Sequence, residues 1–182
     1  MVSLRKRAWA KLRVFAQRFV LGARQGSVSV VAAILAYFPS HLVGLQQPFW
    51  SAITAIAVAQ MEFQATRAIA RRQFTGAAIG GAIGLGMILG FGDNLLVYAC
   101  AIMLAVLVCW LLNVGDASQL GGITATIIML VPHLGTPQSI LFSRLSEVGW
   151  GVAVGLAVAW AVDRLVRKFG KEPGAAEVSA AD

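Results

Sequence analysis

The sequence predicts an all-α, polytopic membrane protein with about six transmembrane helices in two inverted three-helix repeats. Hydrophobic residues make up 58% of the 182 residues and charged residues only 13%, whereas soluble domains are ~45–50% apolar. The apolar residues form six separate segments. The basic residues stand at the ends of these segments, as is usual in membrane proteins. The net charge of +7 therefore does not indicate a nucleic-acid partner.

Residues 1–24 are predicted to form a basic amphipathic helix on the membrane surface. They contain seven basic residues and no acid. The apolar residues of this stretch recur every three or four positions, in one stripe. The stripe consists of Leu4, Ala8, Leu12, Phe15 and Phe19. Such a helix binds anionic lipids through its basic face. Residues 25–166 are the predicted integral membrane domain, and residues 167–182 a disordered cytoplasmic tail.

Six apolar segments make up the predicted membrane domain. They cover residues 26–38, 49–61, 74–91, 95–112, 117–131 and 148–162. We expect Pro39 to end the first segment, and a basic turn with Arg67, Arg71 and Arg72 to separate the second from the third. A complete span needs roughly 20 residues, so the second and fifth segments are short.

The distribution of charge predicts the orientation of the chain. With six spans, fourteen of the fifteen basic residues fall on one side, which the positive-inside rule makes cytoplasmic. Both termini are then cytoplasmic, and only Arg144 lies on the outer side. No acidic residue is predicted deep within a span, so the sequence indicates no intramembrane proton carrier.

An internal repeat relates the two halves of the domain. Residues 52–55 (AITA) resemble residues 122–125 (GITA). Arg71 and Arg144 are each followed by a glycine five positions later, so we predict that they are counterparts. Because each unit has an odd number of helices, the second unit begins on the opposite side of the membrane and must be inverted. Many transporters have this plan, with the binding site at the interface of the repeats.

Polar residues near the short segments predict a substrate path, because short paired segments often mark partial helices around a midplane cavity. The predicted path residues are Trp50, Thr54, Gln60, Arg67, Arg71, Gln119, Thr124 and Arg144. Each has a structural alternative. The tryptophan can anchor at the interface, the hydroxyl and amide groups can join helices, the arginines can set topology, and Arg144 can pair with Glu147.

Two glycine ladders predict close packing of helices, either within one chain or between two. Their members are Gly76, Gly80, Gly84, Gly151 and Gly155. The sequence contains no Ser-His-Asp arrangement and no metal-ligand spacing. We therefore predict no enzymatic activity, no metal and no cofactor.

The stretch that begins at residue 47 resembles the fusaric acid resistance protein-like family, also described as the aromatic acid exporter family. The resemblance is carried by Gln47, Pro48, Phe49, Trp50, Ile53, Thr54, Gln60, the arginine-rich residues 67–72 and the glycine-spaced helix. It extends over about residues 20–165. It implies a helical bundle in the bacterial inner (plasma) membrane that exports aromatic or other small organic acids, driven by the proton gradient.

Many members of that family have two membrane modules and large cytoplasmic domains, whereas this sequence has one module. We therefore expect a homodimer, with a small organic anion and membrane lipids as its other partners. The alternative is a non-transporting scaffold or a partner subunit of a larger transport complex. Water access to Thr54 and Thr124 distinguishes a transport path from a scaffold.

Overall fold

The computed structural model describes residues 2–45, 47–131 and 136–169. The regular secondary structure of these residues consists of helices joined by short turns, without strands. The helices are α1 (Val2–Leu42), α2 (Phe49–Val58), α3 (Phe63–Phe91), α4 (Leu95–Leu111), α5 (Ser118–Leu130) and α6 (Pro137–Phe169). A 3₁₀ turn, Gly115–Ala117, leads into α5. The all-α prediction is confirmed.

Within the described ranges, three helices are long and apolar enough to cross a membrane. They are Arg13–Leu42 of α1, Phe63–Phe91 of α3 and Gln138–Lys168 of α6. Large apolar side chains point outward along the bundle, for example Ile34 and Leu107. In a lipid environment such side chains contact acyl chains instead of water. The chain is therefore a multi-pass membrane protein.

Two helix boundaries differ from the sequence prediction. Helix α1 continues through Pro39 to Leu42. A proline in a helix removes one backbone donor, and here it stands only one turn before the helix ends. The predicted basic turn with Arg67 is helical, because α3 begins at Phe63. Arginine, alanine and glutamine are good helix formers, so hydropathy marks only the more apolar part of this helix.

Helices α1 and α6 extend beyond the predicted apolar segments, toward the two ends of the chain. Residues 1–24 were predicted as a membrane-surface helix that leads into the first span, and this location stays a prediction. Helix α1 runs without a break from Val2 to Leu42, and its residues 13–24 are exposed. Its packing begins at Gln25, whose side-chain amide donates to the carbonyl of Ala59 at 2.9 Å. Helix α6 includes residues 167–169 of the predicted tail, and residues 170–182 lie outside the described residues.

Helices α3 and α6 pack against each other at the centre of the bundle. Helices α5 and α4 pack on α3, and α2 and α1 pack on α6. The two halves make matching contacts. Helix α3 contacts α4 and α5 as α6 contacts α1 and α2, and α4 contacts α5 as α1 contacts α2. The helix contacts therefore support an architecture of two three-helix repeats.

Glycines allow α5 to approach α3 closely. A Cβ atom at Gly80 would overlap the carbonyl oxygen of Gly121, and one at Gly84 would lie 3.1 Å from the Cα of Ala125. Gly76 meets the start of α5 in the same way. The ladder of α3 therefore lies within the contact between two helices of one chain.

The same kind of contact joins α6 to α2 in the other half. A Cβ atom at Gly151 would lie 2.5 Å from the carbonyl oxygen of Ser51, and one at Gly155 would lie 3.4 Å from that of Ala55. Both glycines are near the middle of α6. The short helices α2 and α5 therefore lie against the middle of the long helices.

These contacts agree with the match of residues 52–55 to residues 122–125, because Ser51 is equivalent to Gly121 and Ala55 to Ala125, but they align the arginines differently. Gly80 of α3 and Gly151 of α6 are equivalent, because each approaches a backbone carbonyl of the short helix in its half. Seven positions before them lie Gln73 and Arg144, which are therefore equivalent as well. The predicted correspondence of Arg71 with Arg144 is therefore wrong by two positions. The side chain of Arg71 is exposed whereas that of Arg144 is buried, so the two residues have different environments.

Candidate functional site

Trp50 lies in the first turn of α2, where the chain enters the bundle. Pro48, which precedes the helix, already has helical backbone angles. The backbone N–H of Trp50 donates to the carbonyl of Gln47 at 3.0 Å, and its indole Nε1 donates to the side-chain oxygen of Gln47 at 2.7 Å. The two hydrogen bonds fix the orientation of the indole ring.

The guanidinium group of Arg144 lies over this ring, with Cζ 3.9 Å from the ring centroid. A cation–π contact is worth about 2 kcal/mol when it is desolvated, and Arg144 is only 8% exposed. Its Nε and Nη1 atoms have no hydrogen-bond partner among the described residues. Buried donors without acceptors cost free energy. The arrangement is therefore suited to an anion that would accept hydrogen bonds from them.

Glu147 lies one turn after Arg144 on α6 and is 2% exposed. Its Oε1 atom accepts hydrogen bonds from the backbone N–H of Gln47 at 3.0 Å and from the hydroxyl of Ser143 at 2.8 Å. Glu147 thus ties the segment before α2 to α6.

Glu147 belongs to the part of α6 that is long and apolar enough to cross a membrane. Sequence reasoning left it out of the predicted site. The missed signal is an acid directly before the apolar part of a predicted membrane helix. Its donor on Gln47 is 100 residues away along the chain, which no local pattern reveals.

A cavity of about 450 Å³ lies beside Trp50, between α2, α4 and α5. Its lining residues are Trp50, Ile102, Val106, Ser118, Gln119, Gly122, Ile123, Thr126 and Ile127. The hydroxyls of Ser118 and Thr126 donate to carbonyls within their own helical turns, which leaves mostly apolar walls. Cavities of this size and character suit small organic molecules. The structure thus brings Trp50 together with Gln119 and with Arg144.

Thr54 and Thr124 lie elsewhere, on the contact faces between the short and the long helices. Both are buried. A Cβ atom at Gly151 would lie 2.7 Å from the Cβ of Thr54, and one at Gly81 would lie 3.7 Å from the Cγ2 of Thr124. Since α2 and α5 make no contact in the described part of the chain, the two threonines are not brought together.

Arg67 and Arg71 lie one turn apart in the first half of α3, and both are exposed. They line a separate cavity of about 400 Å³. The neighbouring Arg72 forms an ion pair with Asp116 at 2.8 Å, whereas neither Arg67 nor Arg71 has such a partner within the described ranges. The structure therefore places these two arginines away from Arg144, on a different helix and in a solvated groove.

Gln60 belongs to the turn between α2 and α3, where Thr66 holds it. The backbone N–H of Gln60 donates to the hydroxyl oxygen of Thr66 at 3.0 Å. That hydroxyl lies 3.2 Å from the carbonyl oxygen of Glu62, to which it donates. Thr66 is fully buried. Gln60 therefore takes part in the turn and does not line the cavity beside Trp50.

Replacing Thr66 by valine should lower the free energy of unfolding by about 1–3 kcal/mol. Valine keeps the shape of the side chain but leaves the N–H of Gln60 without its acceptor. The effect is measured as a lower apparent melting temperature of the purified protein in detergent. The control is Ser146→Ala, which removes an exposed hydroxyl bonded within its own helix. Equal melting temperatures for both variants would contradict the proposed role of Thr66.

The fold and the site define a multi-pass helical membrane protein in which a buried cation and an open, mostly apolar cavity share one tryptophan. An arrangement of this kind is suited to holding a small anion within the bilayer. The chain belongs to the fusaric acid resistance protein-like family, whose sequence profile matches residues 32–158. The resemblance noted in the sequence is thus confirmed, and the protein is of the membrane transport type. No curated protein and no solved structure matches the chain.

Proposed function

We propose that this protein exports aromatic or other small organic acids across the bacterial inner membrane, driven by the proton gradient. The observation that carries the proposal is the buried guanidinium of Arg144, with two nitrogen atoms that lack partners among the described residues, against the ring of Trp50. Carboxylates are preferred ligands of such a group. Membership in the fusaric acid resistance protein-like family supports export.

The proposed path begins at the cytoplasmic end of the bundle, where Arg67 and Arg71 attract the anion. It continues past Gln119 in the cavity and ends near Arg144 on the outer side. In this proposal Thr54, Gln60 and Thr124 hold the short helices beside the path. The clustering of basic residues at one end of the spans supports a cytoplasmic location for both termini.

Arg71→Gln should weaken the uptake of a labelled aromatic acid at low ionic strength, because one attracting charge at the cytoplasmic groove is lost. The measured quantity is the initial rate of flux in proteoliposomes, and the expected fall is severalfold and disappears in high salt. Arg167→Gln is the matched control, since it removes an exposed arginine that is ion-paired with Asp163 on α6. Equal effects of both variants would reject a specific role for Arg71.

The export proposal itself is tested by flux of labelled aromatic acids in proteoliposomes, with and without an imposed pH gradient. Gradient-dependent flux supports the whole proposal. Flux that ignores the gradient supports export but rejects proton coupling. If folded, inserted protein carries none of a broad panel of acids, the scaffold or partner-subunit alternative replaces transport.

A homodimer is part of the proposal. The glycines of both ladders are occupied by contacts within one chain, so they are not available to join two chains. Further along α3, a Cβ atom at Gly86 or at Gly90 would meet no other atom within 4 Å among the described residues, and the two glycines are spaced for helix association. Cross-linking of cysteines placed beside these glycines tests the contact, and its absence in native membranes would reject this interface.

A further inference from the structure

We infer that Gln47 is a positioning residue for the anion site. It holds Glu147 and Trp50 at the same time, and it thereby keeps the buried guanidinium of Arg144 from pairing with Glu147. This role rests on the proposed function, because it explains how the group that would bind the anion stays available. Gln47 lies in the segment between α1 and α2, and the predicted path did not include it.

Arg144 and Glu147 are natural partners for an internal ion pair. They lie three positions apart on α6, where side chains are neighbours, and they are only 8% and 2% exposed. Their opposite charges attract each other, and the attraction is strong where water is scarce. Nevertheless, Nε and Nη1 of Arg144 have no hydrogen-bond partner among the described residues. Neither nitrogen is therefore bonded to Glu147, and contacts that orient both side chains explain why.

The carboxylate is held by two donors. Oε1 of Glu147 accepts hydrogen bonds from the backbone N–H of Gln47 at 3.0 Å and from the hydroxyl of Ser143 at 2.8 Å. Ser143 lies one turn before Glu147 on α6. The two donors occupy an oxygen atom that could otherwise accept from Arg144, and they direct it toward the segment before α2.

The indole ring is held by the same glutamine. The side-chain oxygen of Gln47 accepts from Nε1 of Trp50 at 2.7 Å, and its carbonyl oxygen accepts from the backbone N–H of Trp50 at 3.0 Å. Pro48 stands between them with helical backbone angles, and its ring restrains this turn. The indole then lies against the guanidinium of Arg144, with Cζ 3.9 Å from the ring centroid. This contact uses the face of the cation and leaves its N–H donors for an acceptor in the plane of the group.

Gln47 thus connects the two groups that compete for Arg144. Without its side-chain oxygen, the indole ring would lose the hydrogen bond that fixes its orientation, and Arg144 would lose the surface that holds it away from Glu147. An internal ion pair between Arg144 and Glu147 would then use the donors that the anion needs.

The test is binding of labelled benzoate to the purified full chain in lipid nanodiscs. Gln47→Met keeps the size of the side chain and the backbone N–H but removes the acceptor for the indole. We expect it to weaken benzoate binding at least about tenfold, as the loss of one hydrogen bond to a charged group does. Trp50→Phe removes the donor of the same hydrogen bond, so the two substitutions together should weaken binding no more than either one alone.

Trp150→Phe is the matched control. It removes the same kind of indole donor from α6, where Nε1 of Trp150 donates to the carbonyl of Ala36 at 3.1 Å. This hydrogen bond joins α6 to α1 and involves neither Gln47 nor Arg144, so benzoate binding should stay unchanged.

Glu147→Gln separates positioning from a merely structural role. Glutamine keeps an acceptor for the backbone N–H of Gln47 but removes the charge that attracts Arg144. Combined with Gln47→Met, it should restore most of the lost affinity for benzoate. If Gln47 only stabilised the fold, the double variant would bind as weakly as Gln47→Met or more weakly. Melting temperatures confirm that each variant is folded.

The outcomes distinguish this role from the proposed function. Wild-type affinity in Gln47→Met, or no recovery in the double variant, would overturn the role of Gln47, whereas flux in proteoliposomes could still support export. If the wild-type protein binds no aromatic acid, the proposed function fails. The role of Gln47 is then decided by a double-mutant cycle of Arg144→Gln and Glu147→Gln on the melting temperature. A larger coupling in the presence of Gln47→Met supports the role, and equal couplings reject it.

Discussion

Replacing Gly80 by alanine should destabilise the protein by about 3 kcal/mol, at the upper end of the range for overpacked cores. The added Cβ would overlap the carbonyl oxygen of Gly121 and come within 2.7 Å of its Cα. These are backbone atoms, which cannot rotate aside as a side chain can. Helix α5 must therefore move away from α3 and lose packing along its length. The effect is measured as a lower melting temperature and a lower yield of monodisperse protein in detergent.

The same substitution at Gly26 is the control for Gly80. Both glycines lie within long helices, and a Cβ at Gly26 of α1 meets nothing within 4 Å among the described residues, so Gly26→Ala should leave the melting temperature unchanged or slightly raise it. Gly151→Ala should resemble Gly80→Ala, because it produces the same clash with Ser51 in the other repeat. If Gly80→Ala is as stable as Gly26→Ala, the close contact of α3 with α5 is incorrect.

Arg144→Gln should reduce the flux of an aromatic acid in proteoliposomes by at least about tenfold. Hydrogen bonds to a charged group are worth about 1.5–3 kcal/mol, and about 1.4 kcal/mol corresponds to a factor of ten. Glutamine is shorter, uncharged and unable to stack over Trp50 in the same way. Arg144→Lys should give an intermediate rate, because it keeps the charge but loses the planar group.

A second arginine on α6 provides the matched control. Arg164 also lies over a tryptophan, with its Cζ 5.3 Å from the ring centroid of Trp160, but it is exposed. Arg164→Gln should leave the flux nearly unchanged, because water solvates this guanidinium with or without a ligand. Equal losses of flux in Arg144→Gln and Arg164→Gln would mean that general charge, and not the buried site, controls transport.

The sequence predicts much of the fold because membrane helices are encoded locally. A long apolar run, such as that of α4, must be helical in lipid to satisfy its own backbone groups, and its end at Leu111 differs by one residue from the prediction. The short lengths of α2 and α5 were also visible from hydropathy. Helix ends in polar sequence were less predictable. The start of α3 was placed at Phe74 instead of Phe63, because its first three turns are polar yet helical.

The candidate site could be predicted only in part, because its residues meet through tertiary contacts. The sequence indicated Trp50 and Arg144 separately, but their stacking depends on how α2 packs on the middle of α6. It assigned Arg144 to a counterpart, Arg71, whereas the glycine contacts align it with Gln73. It also left out Glu147, whose hydrogen bond with Gln47 spans 100 residues.

The amino-acid sequence by itself predicted a membrane protein of six helices in two halves, since hydropathy and charge act within each segment, and the described residues form six α-helices. The tertiary structure alone decided which polar groups are buried together. A buried charge is tolerable only where packing provides a partner, and packing depends on small residues such as Gly151 that let α2 and α6 approach. The position of Arg144 against Trp50 therefore follows from helix packing and not from any local pattern.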